Sequence, residues 1–143
     1  MNVGIKMKEM FFDRKKVLDA VDKATRKVFS KFGAFVRTAA KSSIRKRKKI
    51  SQPGQPPSSH VGTLKRLIFF GYDTDRRSVV IGPTPFRGKA EAPPLLEYGG
   101  NARRRDRKTK SIRTMRYRAR PFMGPAFEKE KSKIPALWAK SIK

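Results

Sequence analysis

Residues 13–44, DRKKVLDAVDKATRKVFSKFGAFVRTAAKSSI, carry the strongest local signal in the chain. Apolar side chains recur in them at every third or fourth position, which places them on one face of a helix. Asp13 is a typical helix N-cap, and a helix over this stretch is about 48 Å long at 1.5 Å per residue. Gly33 costs it only about 1 kcal/mol relative to alanine. The apolar face comprises Val17, Val21, Ala24, Val28, Phe32, Phe35, Val36, Ala39 and Ala40.

A loop and two strands are predicted after this helix. Residues 45–63 begin with RKRKK and continue with PGQPP. Each proline fixes φ and removes a backbone donor, so we predict a loop, first basic and then Pro/Gly-rich. Residues 64–72 and 78–82 have the composition of strands, and the aspartates of DTDR between them suit a turn.

The first predicted strand has two apolar faces. Leu67 and Phe69 point one way, and Ile68 and Phe70 point the other way. Two apolar faces indicate that both are buried, or that the long helix covers one and a partner subunit covers the other.

The next segment alternates short structured pieces with a basic loop. PPLLEY is a predicted helical turn, opened by Pro94 and stopped by Gly99 and Gly100. NARRRDRKTK, residues 101–110, is predicted as a polar basic tip. SIRTMRYRA, residues 111–119, is predicted as a strand with an arginine-rich outer face.

The two ends of the chain complete an α+β prediction. The carboxy terminus is predicted to be helical from about Pro125, with Pro135 breaking or restarting the helix. Its apolar stripe is Ile134, Leu137, Trp138 and Ile142. We predict one domain over residues 1–143, in which a long helix packs on a small antiparallel sheet. Its parts are an arm or edge strand 1–12, the long helix 13–44, a loop 45–63, a sheet with a basic excursion 64–120, and a terminal helix 121–143.

The charge of the chain points to polyanionic partners. The net charge is +26 over 143 residues, with 37 basic and 11 acidic side chains. Residues 1–50 and 101–143 each carry +12, whereas residues 51–100 carry +2. The chain contains no cysteine, which removes disulfides and thiolate metal sites. No apolar run is long enough for a membrane span, so no membrane partner is expected.

Candidate catalytic groups are few. His60 is the single histidine and lies beside two serines in a proline-rich loop, where adjacent residues do not form a triad. The carboxylates that could bind magnesium for nuclease chemistry are Asp73, Asp75, Glu91 and Glu97. Turn geometry explains the first two, and Glu97 could pair with an arginine or be a plain cap-region charge. We expect no enzymatic activity, no cofactor and no metal.

Two basic clusters remain as candidate contacts for DNA or an acidic partner. They contain Arg45, Lys46, Arg47, Lys48 and Lys49, and Arg103, Arg104, Arg105, Arg107, Lys108 and Lys110. Such clusters can bind phosphates without reading sequence. A single cluster is usually a solvated charge run, but two clusters and a charge of +26 favour binding. Tyr98, Tyr117 and Trp138 could stack on bases, although the position of Trp138 on the helical stripe favours a core role.

The order of the pieces is more specific than any one of them. GAFVRTAAKSSIRKRK, PGQPPSSHVGTLKRLIFF, SVVIGP, PPLLEYGG and RARPFMGPAFEKE follow one another in the chain. This set resembles the tail-completion and head-tail joining family of tailed bacteriophages, over nearly the whole chain. The arginine density between Arg103 and Arg120 departs from the family pattern.

The resemblance implies a structural protein of the virion neck. Members are small α+β subunits that form rings, usually sixfold, around the channel through which genomic double-stranded DNA leaves the head. Its expected neighbours are head-completion or connector proteins and tail-terminator or tail-tube proteins. Gly62 would let the chain enter the strand beginning at Leu64. The expected assembly contacts are Leu95, Leu96, Glu97, Tyr98, Arg120, Pro121 and Phe122.

Two other functions stay open at this point. A nucleic-acid-binding protein without sequence preference, acting outside the virion, is favoured by basicity alone. A nuclease would depend on the carboxylates of Asp73 and Asp75.

Overall fold

The computed structural model describes residues 13–85 and 92–141. Its elements in chain order are α1 Arg14–Ser43, β1 Arg45–Lys46, β2 Ser58–Ser59, α2 Thr63–Arg66, β3 Ile68–Asp73, β4 Ser78–Pro83, α3 Ala92–Tyr98, β5 Gly100–Arg105, β6 Ile112–Tyr117, α4 Met123–Lys131 and α5 Ile134–Ala139. The predicted α+β class is confirmed. The predictions for residues 1–12, for Glu91 and for Ile142 lie outside the described residues. Within the described ranges, no helix has the length and apolar character that a membrane span needs.

Helix α1 organises the fold, as its spacing predicts. The Asp13 carboxylate accepts a hydrogen bond from the Lys16 backbone N–H at 3.1 Å and caps the helix. The buried residues of α1 are Ala24, Val28, Phe32, Gly33, Val36 and Ala40, and all of them except Gly33 belong to the predicted face. Val17 and Val21 belong to the same stripe but are 43% and 45% exposed. The first turns of α1 therefore extend beyond the core.

The core lies between α1, the β3–β4 hairpin and the two carboxy-terminal helices. Its buried members are Phe32, Val36, Ala40, Ile44, Ile68, Phe122 and Ala126. Each large side chain among them contributes roughly 1.5–3 kcal/mol by leaving water. Trp138, predicted to have a core role, is half-buried and packs edge-to-face on Phe29 beside the core, with ring centroids 6.1 Å apart.

Gly33 has a packing role that helix propensity does not reveal. A Cβ at this position would lie 2.8 Å from Phe70 Cδ2 and 2.8 Å from Val79 Cγ2. Side-chain carbons do not approach so closely without displacement. The glycine thus lets α1 lie directly against the β3–β4 hairpin.

The strands form three separate two-stranded ladders. β3 pairs with β4 and β5 with β6, both antiparallel. β1 pairs with β2 in a parallel ladder, with Arg45 opposite Ser58 and Lys46 opposite Ser59. The prediction of loop throughout residues 45–63 is therefore wrong at these four residues, and also at Thr63, where α2 begins. The prolines of PGQPP lie between the paired residues and cost the ladder no hydrogen bond.

The strand predicted from Leu64 begins later. Residues 63–66 form the short helix α2, with Arg66 N–H donating to Gly62 O at 3.1 Å and Leu67 N–H donating to Thr63 O at 3.1 Å. Gly62 adopts φ +78°, which suits glycine, and precedes α2 rather than opening a strand. Alternating apolar residues in so short a segment do not distinguish a helical turn from a strand.

Only one face of the β3–β4 hairpin is buried. Ile68 is fully buried, and Val79 and Ile81 pack against the core from β4. Phe69 is 47% and Val80 65% exposed on the other face. Within the described residues, the interpretation that both faces are buried is wrong. The alternative, that a partner subunit covers the second face, stays a prediction.

Cations flank the exposed ring of Phe69. The Arg37 guanidinium carbon and the Lys41 Nζ each lie 5.9 Å from the ring centroid. Arg37 Nε also donates to the Ile68 carbonyl at 2.9 Å. Partial burial, then the charges of Arg37 and Lys65, lower the pKa of Lys41 below its ordinary value.

Helices α3 and α4 begin at earlier residues than predicted. α3 begins two residues before Pro94, and α4 begins at Met123 instead of Pro125. The predicted break is present, since α4 ends at Lys131 and Pro135 lies in the first turn of α5. Proline is tolerated there because the backbone N–H groups in the first turn of a helix have no acceptor within the helix, so a missing N–H costs no hydrogen bond.

Candidate nucleic-acid interface

The hairpin β5–β6 is the most basic element of the molecule. Its register pairs Gly100 with Tyr117 and Arg105 with Ile112. Residues 103–118 carry nine basic side chains and one acidic side chain. Apart from half-buried Ala102 and Tyr117, all strand residues of this hairpin are exposed. No residue of the two strands is buried within the described part of the chain, so the backbone pairing and the turn hold the strands together.

Asp106 organises the turn of this hairpin. Its Oδ1 accepts hydrogen bonds from the backbone N–H groups of Lys108 at 2.8 Å and Thr109 at 3.2 Å. These two bonds lower the pKa of the Asp106 carboxyl below its ordinary value of 3.8. The Asp106 N–H donates to the Ser111 carbonyl at 2.9 Å and continues the ladder into the turn. The one carboxylate of the basic hairpin is thus hydrogen-bonded to backbone N–H groups of the turn.

The two faces of the hairpin differ. Residues directly opposite each other in a ladder share a face. The face that we call the polar face carries Asn101, Arg103, Arg105, Ile112, Thr114 and Arg116. The face that we call the mixed face carries Gly100, Ala102, Arg104, Arg113, Met115 and Tyr117. Each face presents arginines, but hydrogen-bonding groups of several kinds are concentrated on the polar one.

The cations of the hairpin lack carboxylate partners among residues 13–85 and 92–141. Arg104 lies directly opposite Arg113, and like charges in that position repel. A bound polyanion would remove this repulsion. The positive charge of the hairpin therefore favours an anionic partner.

The structure places the residues of the second predicted basic cluster in two different elements. Arg103, Arg104 and Arg105 lie on β5 rather than on a loop tip, and Arg107, Lys108 and Lys110 lie in the turn. The cluster predicted from the sequence did not include three basic residues on or next to β6, which are Arg113, Arg116 and Arg118. The three arginines within SIRTMRYR were the available signal, because two basic strands joined by a short turn place their charges side by side.

The first predicted cluster is more irregular. Arg45 and Lys46 are exposed in β1, and Arg47 Nε donates to Ser58 Oγ at 2.9 Å. Lys48 and Lys49 are exposed in the bend that follows. No ion pair to these five residues occurs within the described parts of the chain.

A network that we call the central junction joins the segments following the two clusters. It comprises residues 51–54, 96–97 and 119–124. Gly54 N–H donates to Ala119 O at 2.8 Å, and Arg120 Nε donates to Ser51 O at 3.0 Å. Arg120 N–H donates to Leu96 O at 2.6 Å. The basic loop and the basic hairpin are consequently anchored to each other at this point.

Glu97 closes the central junction. Its Oε2 accepts from the backbone N–H groups of Phe122 at 2.9 Å and Met123 at 3.0 Å, and its Oε1 accepts from Gly124 N–H at 2.7 Å. The carboxylate thereby satisfies three donors at the start of α4, where negative charge is favourable. Of the two roles considered for Glu97, the ion pair has no support among the described residues, and the charge caps a different helix from its own.

The residues predicted for assembly have mostly internal contacts. Phe122 is buried, Leu96 packs against the core, and Arg120 belongs to the central junction. Leu95 and Pro121 are half-buried. Tyr98 is 83% exposed, so it is the member of the set most available to a partner.

An open groove of about 610 Å³ lies at the root of the hairpin. Tyr98, Asn101, Arg116 and Arg118 line it together with neighbouring backbone. The groove places an exposed aromatic ring near two guanidinium groups. These are the groups that bind bases and phosphates of nucleic acids.

The candidate catalytic residues are not brought together. His60 is exposed. Asp73 Oδ1 accepts from the N–H groups of Asp75 at 3.0 Å and Arg76 at 3.1 Å, which is the turn role predicted for it. In the described part of the chain, no three potential metal-ligating side chains form a group.

Comparison with protein-family models, curated proteins and solved structures gives no match for this chain.

Proposed function

We propose that this chain is a structural protein of a tailed-bacteriophage neck, forming part of a ring around the DNA channel. The observation that carries the proposal is the central junction. PGQPP and PPLLEYGG lie far from RARPFMG in the chain, yet each is hydrogen-bonded to it, the first through Gly54 and the second through Leu96 and Glu97. Three of the five segments behind the resemblance therefore meet in one network. This favours a related architecture over a chance collection of short motifs.

Exposed apolar residues support self-association. Val17, Leu18 and Val21 lie on the projecting part of α1, and Phe69 and Val80 lie on the outer face of β3–β4. Different patches on one subunit suit a head-to-tail contact, which produces a ring when the rotation closes. We propose six copies, the number that the resemblance implies.

The charge distribution supports DNA in the lumen. Copies that each carry +26 repel one another within the screening distance of about 8 Å in physiological salt. A polyanion in the channel offsets that repulsion, and the hairpin β5–β6 offers exposed arginines for it. We propose that the hairpin faces genomic double-stranded DNA.

The remaining partners follow from the position in the particle. We propose head-completion or connector proteins on one side of the ring and tail-terminator or tail-tube proteins on the other. The protein would be assembled in the host cytoplasm and remain in the virion at the head-tail junction. Its role would be structural, without an enzymatic step, a cofactor or a membrane partner.

One alternative has a specific observation in its favour. The exposed arginines of β5–β6 also suit a nucleic-acid-binding protein that acts outside the virion. Such a protein would bind DNA as a monomer and would not be needed for joining heads to tails.

A nonsense mutation in the gene tests the neck proposal. Lysates made without the protein should contain DNA-filled heads and separate tails by electron microscopy, and supplying the protein in trans should restore joined particles. Normal numbers of joined, infectious particles would overturn the proposal. The alternative function predicts normal numbers of joined particles together with a defect at another stage of infection.

A further inference from the structure

We propose that the polar face of the β5–β6 hairpin enters the major groove of duplex DNA. This inference rests on the proposed function and deepens it, because it specifies how the protein holds DNA in the channel. The observations behind it are the exposure of both strands, the different composition of the two faces, and the groove at the root of the hairpin.

The dimensions of the hairpin suit a groove. Each strand has six residues, which span roughly 20 Å at about 3.4 Å per residue. Two paired strands lie about 4.8 Å apart. The major groove of B-form DNA is about 12 Å wide and admits a two-stranded ribbon. Few of the described elements are both long enough and exposed on both faces, as entry into the groove requires.

The side chains of the polar face suit base edges. Arginine binds guanine through two hydrogen bonds, asparagine binds adenine, and threonine contacts either bases or the thymine methyl group. Asn101, Arg103, Thr114 and Arg116 are all exposed on this one face. The mixed face places Ala102, Met115 and Tyr117 at corresponding positions, which offer fewer donors and acceptors.

The root of the hairpin shows which face is free. A Cβ on Gly100 would lie 3.3 Å from Leu95 Cδ2, so α3 approaches the mixed face there. On the polar side, Arg116 and Arg118 line open space together. The polar face can therefore approach DNA without displacing α3, and Arg118 is placed to contact the flanking phosphates.

Two double variants separate groove insertion from general attraction between opposite charges. Arg103→Gln with Arg116→Gln removes two charges from the polar face. Arg104→Gln with Arg113→Gln removes two charges from the mixed face of the same ribbon. Both variants have the same net charge, and circular dichroism melting checks that both are folded.

Binding of the full chain should be measured by fluorescence anisotropy with a 30-base-pair DNA duplex, the matching RNA duplex and heparin, at several salt concentrations. The polar-face variant should lose at least tenfold in DNA affinity, whereas the mixed-face variant should lose less than threefold. Both variants should lose equally on heparin. The unmodified protein should prefer DNA to RNA, since the deep, narrow major groove of A-form RNA excludes side chains.

Equal losses for the two variants on DNA would overturn the inference, as would equal affinity of the unmodified protein for the DNA and RNA duplexes. No loss in either variant would also overturn it and would assign the hairpin to an acidic protein surface. None of these results changes the expected morphology of lysates that lack the protein. Failure of groove insertion is therefore distinguishable from failure of the neck proposal.

Discussion

Replacing Glu97 by alanine should destabilise the whole domain, because this carboxylate holds the start of α4 against α3. It accepts hydrogen bonds from three backbone N–H groups at 2.7–3.0 Å. The Phe122 N–H belongs to a buried residue, and a buried donor without a partner costs about 1–3 kcal/mol. Losing the cap of α4 costs about 1 kcal/mol more. Gly124 is exposed, so water replaces its partner at little cost.

The sum is about 2–4 kcal/mol in the free energy of unfolding. For a domain of this size, each kcal/mol shifts the melting temperature by roughly 3–4 °C, so the expected decrease is roughly 6–16 °C. Glu97→Gln keeps one acceptor oxygen and loses the charge, and it should show about half of this decrease. Thermal unfolding followed by circular dichroism measures both.

Glu128→Ala is the matched control for this substitution. Glu128 lies on α4 and forms an exposed ion pair with Lys131 at 3.6 Å. Exposed pairs contribute about 0–1 kcal/mol, so this variant should melt within about 3 °C of the unmodified protein. If Glu97→Ala and Glu128→Ala melt at the same temperature, the structural role assigned to the central junction is wrong.

Further outcomes follow from the packing and the hairpin. Gly33→Ala should lower stability by about 1 kcal/mol, since overpacking against β3–β4 exceeds the gain in helix propensity; Gly71→Ala, whose new Cβ meets no atom within 4 Å, should change the urea midpoint much less. The contribution of Asp106 to the hairpin turn should be complete above its ordinary pKa of 3.8 and be lost as the pH falls through its lower folded value, with faster amide exchange at Lys108 and Thr109 as the readout. Arg104→Thr should raise the melting temperature slightly at low salt, by removing the repulsion opposite Arg113, and this gain should vanish at 1 M salt.

Local patterns predicted the parts of the fold that local physics determines. α1 was predictable because its stripe repeats over about six turns and Asp13 can cap it without help from the rest of the chain. The turn at Asp73 was predictable for the same reason. The start of β3 was not, because α2 depends on the left-handed conformation of Gly62, which the apolar alternation around it conceals.

The site was harder to predict because its contacts are distant in sequence. Glu97 binds residues 25–27 positions later, and Arg120 binds a carbonyl 69 positions earlier. No periodic pattern encodes such pairs. The strand over residues 111–119 was predicted, but its partner β5 was missed for another reason: strands are recognised by apolar alternation, and β5 has no buried face. The sequence therefore showed which residues of the hairpin are charged, but not how the two strands arrange them.

The most direct test of the neck assignment is electron microscopy of phage particles from the source lysate, labelled with gold-conjugated antibody against this chain. The account predicts label at the head-tail junction of intact particles, with none on heads or tail tips. Label that is absent from intact particles and present on free nucleic acid would contradict it, and the basic hairpin would then be the main binding site of a protein acting outside the virion.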